Sequence, residues 1–281
     1  MNSENIRSNR KKYIKSALVL LIVIALLLFC NFQNKHLETT HYTYEAEQLG
    51  VDLDGYRIVQ ISDLHNAKFG KNNQKLVDRV RECDPDMIVL TGDLVDSNHT
   101  NVDRAVQFVD EIVKICPVYY VTGNHEYWLD TSEYEKLMDG LASAGMIILD
   151  DQVVEISRGD AKFRLVGLDD KSLADGTLEA LLSDEKELTV VLAHEPQYLA
   201  RYAGTGVDLV LSGHAHGGQF RLPFVGGIVA PDQGFLPEYT AGEYYMNGTE
   251  MIVSRGLGNS VIPVRLFNYP EIVCVELVGK H

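Results

Sequence analysis

Paired cysteines are missing from this chain. Four cysteines are spread over 281 residues without a C-x-x-C pair, which excludes a zinc knuckle and a disulfide framework. Cys116 and Cys274 adjoin apolar runs and read as small core residues. Positive charge is scarce too: 25 Lys and Arg face 40 Asp and Glu, a net charge of −15. Five of those basic residues (Arg7, Arg10, Lys11, Lys12 and Lys15) crowd the first fifteen positions, so the remainder is more acidic still. Such a field disfavours nonspecific nucleic-acid binding, and no nucleic-acid partner is expected. Internal repeats and low-complexity tracts are absent as well.

One long apolar run is present, from Ala17 to Cys30, directly after the basic cluster. Residues 1–15 read as a cytoplasmic basic flank, 16–32 as a membrane anchor or signal segment, 33–40 as a polar linker and 41–281 as one folded domain. No small-x-small cleavage site follows the run, which favours an uncleaved single-pass anchor with the domain outside the membrane. Export with a cleaved signal peptide is the alternative. Asn9 to Lys15 resembles a twin-arginine export signal with Lys in place of the second Arg.

Within the domain, His41 to Glu47 alternates as an edge strand. Tyr56–Ile61, Met87–Leu90 and Val118–Val121 are strands, separated by helices at 72–82 and around Val102–Val113. That alternation predicts a parallel sheet covered by helices, with ligands gathered beyond the carboxyl ends of the strands. After a helix at 132–144, Val153–Ser157 and Phe163–Gly167 form a hairpin through Arg158-Gly159-Asp160. The hairpin predicts a second, more antiparallel sheet, and further strands are read at Leu188–Ala193, Val207–Leu211, around Tyr244, at Met251–Ser254 and at Ile272–Leu277.

Five polar clusters stand at the ends of these apolar runs: Asp63-Leu64-His65, Gly92-Asp93-Leu94-Val95-Asp96, Gly123-Asn124-His125-Glu126, His194-Glu195 and Gly213-His214-Ala215-His216. Asp63-Leu64-His65 and Gly92-Asp93 are weak alone, since Asp, Gly and His are common in turns; Gly123-Asn124-His125-Glu126 is stronger, and Gly213-His214-Ala215-His216 is the most telling. Together they offer the mixed oxygen and nitrogen donors that borderline divalent ions prefer. His214 and His216, as alternate residues of an extended segment, would share one side and suit a metal pair.

In that order the clusters resemble the calcineurin-like metallophosphoesterase superfamily, from about Gly55 to Gly218. The N-terminal anchor, Ser62-Asp63-Leu64-His65, Gly123 to Trp128, His194-Glu195-Pro196 and Ser212 to Gln219 are similar to its membrane-associated bacterial branch. The resemblance implies an α/β fold, a four-layer αββα sandwich of two mixed sheets flanked by helices. It implies two divalent metal ions, with Asp63, His65 and His216 on the first, Asn124, His194 and His214 on the second, and Asp93 bridging. The bridging hydroxide would attack phosphorus, and His125 would protonate the leaving group. The donor set favours Mn, Fe or Zn. Asp96 and Glu126 are candidates for orienting ligand imidazoles, or for surface and capping roles.

The implied activity is hydrolysis of a phosphodiester or phosphomonoester. The anchor makes a lipid-linked or envelope substrate attractive, such as a phospholipid or a UDP-diacylglucosamine-like molecule. A nucleotide or protein phosphatase, or an inactive scaffold with the same fold, are the rivals. Trp128, Tyr127, Phe235, Tyr239, Tyr244 and Tyr245 are open to groove or packing roles, and Arg255 or Arg265 to clamping a phosphate or to surface pairing. Asn98 and Asn247 head sequons that matter only in a eukaryotic secretory route.

Overall fold

The computed structural model describes residues 3–46, 49–173, 176–182 and 187–280, with backbone alone for 3–10. Helix α1 (Ser3–Lys35) leads into β1 (Glu38–Ala46). The first half then runs β2 (Tyr56–Ile61), α2 (Gln74–Glu82), β3 (Met87–Thr91), α3 (Val102–Ile112), β4 (Val118–Val121), the single turn α4 (Asn124–Tyr127), α5 (Thr131–Ser143) and β5 (Ile147–Ile148). The second half runs β6 (Gln152–Arg158), β7 (Ala161–Gly167), α6 (Thr177–Leu181), β8 (Thr189–Leu192), α7 (Leu199–Tyr202) and β9 (Leu209–Ser212). An excursion follows, pinned by two short ribbons, β10 (Arg221–Leu222) with β11 (Gly226–Gly227) and β12 (Val229–Ala230) with β13 (Gly234–Phe235). Strands β14 (Gly242–Met246), β15 (Thr249–Val253) and β16 (Glu271–Gly279) close the chain.

Two six-stranded sheets result, in the orders β1-β16-β2-β3-β4-β5 and β14-β15-β9-β8-β7-β6. Each has four parallel strands with antiparallel strands outside them: β2 to β5 against β16 and β1 in the first, β7, β8, β9 and β15 between β14 and β6 in the second. Both sheets are mixed, and the second is the more antiparallel, as expected: two of its five pairings are antiparallel, against one of five in the first. The hairpin read from the sequence is only its edge.

Side-chain alternation explains the layering. Along β3, Met87 and Val89 enter the core between the sheets, while Ile88 and Leu90 enter the core under α2, α3 and α5. Along β8, Val190 and Leu192 face the same inter-sheet core and Val191 faces a third core beside α6 and α7. A strand buried on both faces must be apolar throughout, and each such side chain contributes about 1.5–3 kcal/mol. The product is the four-layer αββα sandwich, whose parallel strands from both sheets end along one seam.

The N-terminal region departs from expectation. Helix continues to Lys35 and strand begins at Glu38, so a polar linker over 33–40 does not exist. Gln33 is buried, and the Asn34 amide donates to Pro263 O at 2.8 Å while its oxygen accepts from Arg265 N. These polar residues end the helix by docking it onto the domain. Strand β1 is the alternating edge strand expected, and Glu47 of that expectation lies outside the described residues.

Candidate metal centre

At the seam, the loop after β2 carries Asp63 and His65, the loop after β3 Asp93, and the turn after β4 Asn124 and His125. From the second sheet, the loop after β8 carries His194 and the loop after β9 His214 and His216. The structure brings all of them together. Asp63, His65, Asp93 and His216 each offer one donor atom within 4.8 Å of the others, and Asp93, His194 and His214 do the same. Asn124 Oδ1 lies 3.2 Å from His194 Nε2. Asp93 belongs to both groups, with Oδ2 3.4 Å from His65 Nε2 and 3.3 Å from His194 Nε2.

Such crowding requires unusual backbone. Asp63, His65, Asp93, His214 and His216 all have positive φ, between 44° and 63°. Asp and His are among the residues that tolerate this region, and the strain, about 1–3 kcal/mol each, is held by the surrounding bonds. The extended segment expected for His214 and His216 is thus a left-handed turn. It points them to different groups: His216 Nε2 is 3.1 Å from His65 Nε2, and His214 Nδ1 is 3.1 Å from His194 Nε2. Gly123 is required by proximity, since a Cβ there would lie 2.5 Å from Asp93 Oδ1.

Ring orientation follows from the outer partners. Thr91 O accepts from His194 Nδ1 at 2.7 Å, leaving Nε2 for the cluster. Asp232 Oδ2 accepts from His214 Nε2 at 2.8 Å, leaving Nδ1 for the cluster. Metal-binding histidines are held by this kind of carbonyl or carboxylate contact. His65 Nδ1 and His216 Nδ1 are buried without partners. Burial holds His65 down to about 3 and His216 well below the usual imidazole range, so both rings keep a free lone pair. Burial also works against charge on His194, yet Asp93 keeps it well above that range, and despite its own burial Asp93 is held well below the usual carboxylate range by His194 and His65. The seat between them attracts positive charge, and its buried N and O donors fit a divalent cation.

His125 lies beside this set. The Ser97 N–H donates to its Nδ1 at 3.2 Å, which leaves the ring proton of the neutral form on Nε2, 3.1 Å from Ser260 Oγ. Asp96 Oδ1 is 3.8 Å from Nδ1, so Asp96 accompanies His125 rather than a candidate ligand imidazole. Glu126 orients no imidazole either. Its buried carboxylate accepts from the backbone N–H groups of Asp93, Leu94, Val95 and Gly123 at 2.8–3.3 Å, and so fixes the loop that carries Asp93. Burial and Asp93 push its carboxyl up to about 8 against the pull of those N–H groups.

Family-model comparison matches residues 56–218 to the calcineurin-like phosphoesterase domain. The chain belongs to the calcineurin-like phosphoesterase family. It is a hydrolase acting on phosphoester bonds. Relatives include the Bacillus subtilis uncharacterized metallophosphoesterase YkuE, 31% identical over 87% of this chain and 87% of that protein. An Aquifex aeolicus uncharacterized metallophosphoesterase is 33% identical over 92% of this chain and 98% of its own length. The Escherichia coli phosphodiesterase YaeI is 31% identical over 79% and 82%. In this calcineurin-like phosphoesterase the Asp and His side chains at the seam form a candidate metal site.

Other expected residues stand elsewhere. Arg265 is wholly buried and donates to the carbonyls of Arg255 and Gly258, so it staples a loop and cannot clamp a phosphate. Arg255 is paired with Glu38 and Glu271 at 2.9 and 2.8 Å. Tyr127 turns away to Asp169 and stacks on Tyr134, and Tyr239 packs on Tyr244. Trp128 remains exposed, its ring 4.6 Å from that of His125. Sequence reasoning missed Asp232, Ser97 and Ser260. Asp232 follows Pro231 in what reads only as a turn, and nothing local ties it to a histidine 18 residues earlier.

Proposed function

We propose that this phosphoesterase hydrolyses a phosphodiester or phosphomonoester of a lipid-linked or envelope molecule at a centre of two divalent ions. Asp63, His65 and His216 would hold one ion, Asn124, His194 and His214 would hold the other, and Asp93 would serve both. Mn, Fe or Zn suit this donor set. When bound, the ions neutralise phosphoryl oxygens and supply an activated water. The protein's own part is to fix the donors through Thr91 O, Asp232 and Glu126, and to deliver a proton. His125 Nε2 is the atom that donates to the departing oxygen, with Ser97 holding the ring from the opposite side.

The observation that carries this reading is the position of Asp93 within donor distance of both imidazole groups. Helix α1 supports the lipid-linked part. Within its stretch Lys11–Lys35 an 18-residue window has mean hydropathy 2.6 and is not buried, and the 25 residues span about 37 Å, enough for a hydrocarbon core of about 30 Å. The helix anchors the domain on the outer face, with the basic flank inside.

A metal-resolved screen of the full chain in detergent tests the proposal, comparing a soluble aryl diester, a phospholipid in mixed micelles, a nucleotide and a phosphopeptide. Metal-dependent turnover fastest on the phospholipid is expected. Preference for the nucleotide or phosphopeptide would contradict the substrate class, and turnover in metal-free enzyme would contradict the centre.

A further inference from the structure

The membrane-type helix meets the domain at the mouth of the site. Its last turns touch one loop: Phe29 packs edge-on against Phe267 with centroids 6.1 Å apart, Phe32 packs against Tyr269, and Asn34 bonds Pro263 and Arg265. The same loop carries Ser260, 3.1 Å from His125 Nε2. The helix therefore leaves the domain a few residues from the reacting end of the site. Phe29 belongs to the apolar run itself, so Phe267 stands level with the end of that run.

This loop is joined to the excursion after β9. Gln219 Nε2 donates to Ile262 O and Val264 O, and Arg221 N donates to Leu266 O at 3.0 Å. The excursion in turn places Asp232 against His214. Both segments expose large apolar side chains beside these contacts: Phe224 is fully exposed, Val261 is 87% and Phe235 82% exposed, and Leu236 and Phe267 are more than half exposed. Isolated exposed apolar residues need no explanation, but a group of them on two joined loops marks an interaction surface. On the opposite end of the sheets, before β2, Val51 is exposed but lies far from α1.

We propose that these loop tips sit in the headgroup layer of the bilayer that α1 enters, so that the site opens toward the lipid surface and takes a phosphoester carried by a membrane lipid. The occupant is a bilayer because the patch is continuous with the point where an apolar helix leaves the domain. Aromatic and branched side chains at that depth bury their apolar parts while the backbone stays hydrated. The substrate part rests on the phosphoesterase reading; the docking part does not.

The test uses the full chain reconstituted in phosphatidylcholine bilayers, with or without bromine on the upper acyl chain. Single variants Phe235→Trp, Val261→Trp and Val51→Trp are compared with the parent, whose Trp128 sets the baseline. Bromine should remove the added emission at 235 and 261 and leave it at 51. Unquenched emission at 235 and 261, equal quenching at 51, or crosslinks between two copies through these tips would overturn the docking. In a second arm, the combined Phe224→Ser, Phe235→Ser and Val261→Ser variant is assayed on a phospholipid in the bilayer and on a soluble diester. The ratio of the two rates should fall about tenfold or more, which corresponds to only about 1.4 kcal/mol of docking energy. An unchanged ratio would overturn the proposal. Quenching in a protein that turns over neither substrate would uphold the docking and count against the lipid-linked substrate.

Discussion

The two sheets contribute to the centre in different ways. The first supplies every oxygen donor, Asp63, Asp93 and Asn124, together with His65, whereas the second supplies only imidazoles, His194, His214 and His216. Their bracing differs as well. In the first half one buried carboxylate, Glu126, accepts four backbone N–H groups under Asp93. In the second half His214 leans on Asp232, a mostly exposed side chain on an excursion. The oxygen side is built into the core and the nitrogen side is finished from the surface. Neither sheet holds a complete donor set, so the inter-sheet core sets the spacing of the site.

Breaking the buried brace should have the largest consequence. Glu126→Ala leaves four buried N–H groups unpaired, and at about 1–3 kcal/mol each the loss should reach about 4 kcal/mol or more. Chemical denaturation of the full chain in detergent checks this, and wild-type stability would show that the brace is dispensable.

His125→Ala should keep its metals and lose turnover by roughly 10²- to 10⁴-fold, the usual contribution of a positioned acid. The defect should be greater on an alkyl diester than on a nitrophenyl ester, whose leaving group departs without a proton. Equal defects on both substrates would remove the acid role.

The surface brace should matter less, and only locally. Asp232→Ala should lower affinity for one ion by about 10- to 100-fold while leaving the fold intact, and Asp232→Asn, which can still accept from His214 Nε2, should recover part of it. Chelator competition followed by elemental analysis reads both variants. Weakening of both ions alike would mean that Asp232 does not act through His214.

A smaller effect separates the outer edge of the second sheet from the site. Burial and then Glu243 push the Glu250 carboxyl from 4.5 up to about 7. The folded chain therefore holds an extra proton between those values, and stability should fall as pH rises through that window. Glu250→Gln removes this slope. Above pH 7 the variant should be the more stable by about 1 kcal/mol, or a few degrees, and below pH 4.5 the two should coincide. Parallel melting curves across that range would contradict the assignment.

The same contrast explains what could be read in the sequence. In the first half, helices of 9, 11 and 13 residues carry clear apolar periodicity between strands, and both the alternation and the strand-end motifs were legible. The second half is covered by helices of 5 and 4 residues, too short for a period, and its ribbons are two residues long. The sequence shows its greater antiparallel share only through one edge hairpin, and the other antiparallel pair, β14 with β15, does not stand out. The donor residues were visible because their types recur at strand ends. Their braces were not, because Glu126 resembles any acidic helix residue and Asp232 reaches His214 only through tertiary folding. Asn34 looked like spacer for the same reason: its partners, Pro263 and Arg265, lie more than 200 residues away.

Metal content of Asp93→Ala tests the central claim most directly, because the proposed centre has this one carboxylate serve both ions. Elemental analysis of the purified full chain should show loss of both, while His216→Ala empties chiefly the site with Asp63 and His65, and His214→Ala chiefly the site with Asn124 and His194. Full occupancy of both ions in Asp93→Ala would contradict a shared carboxylate at the seam of the two sheets.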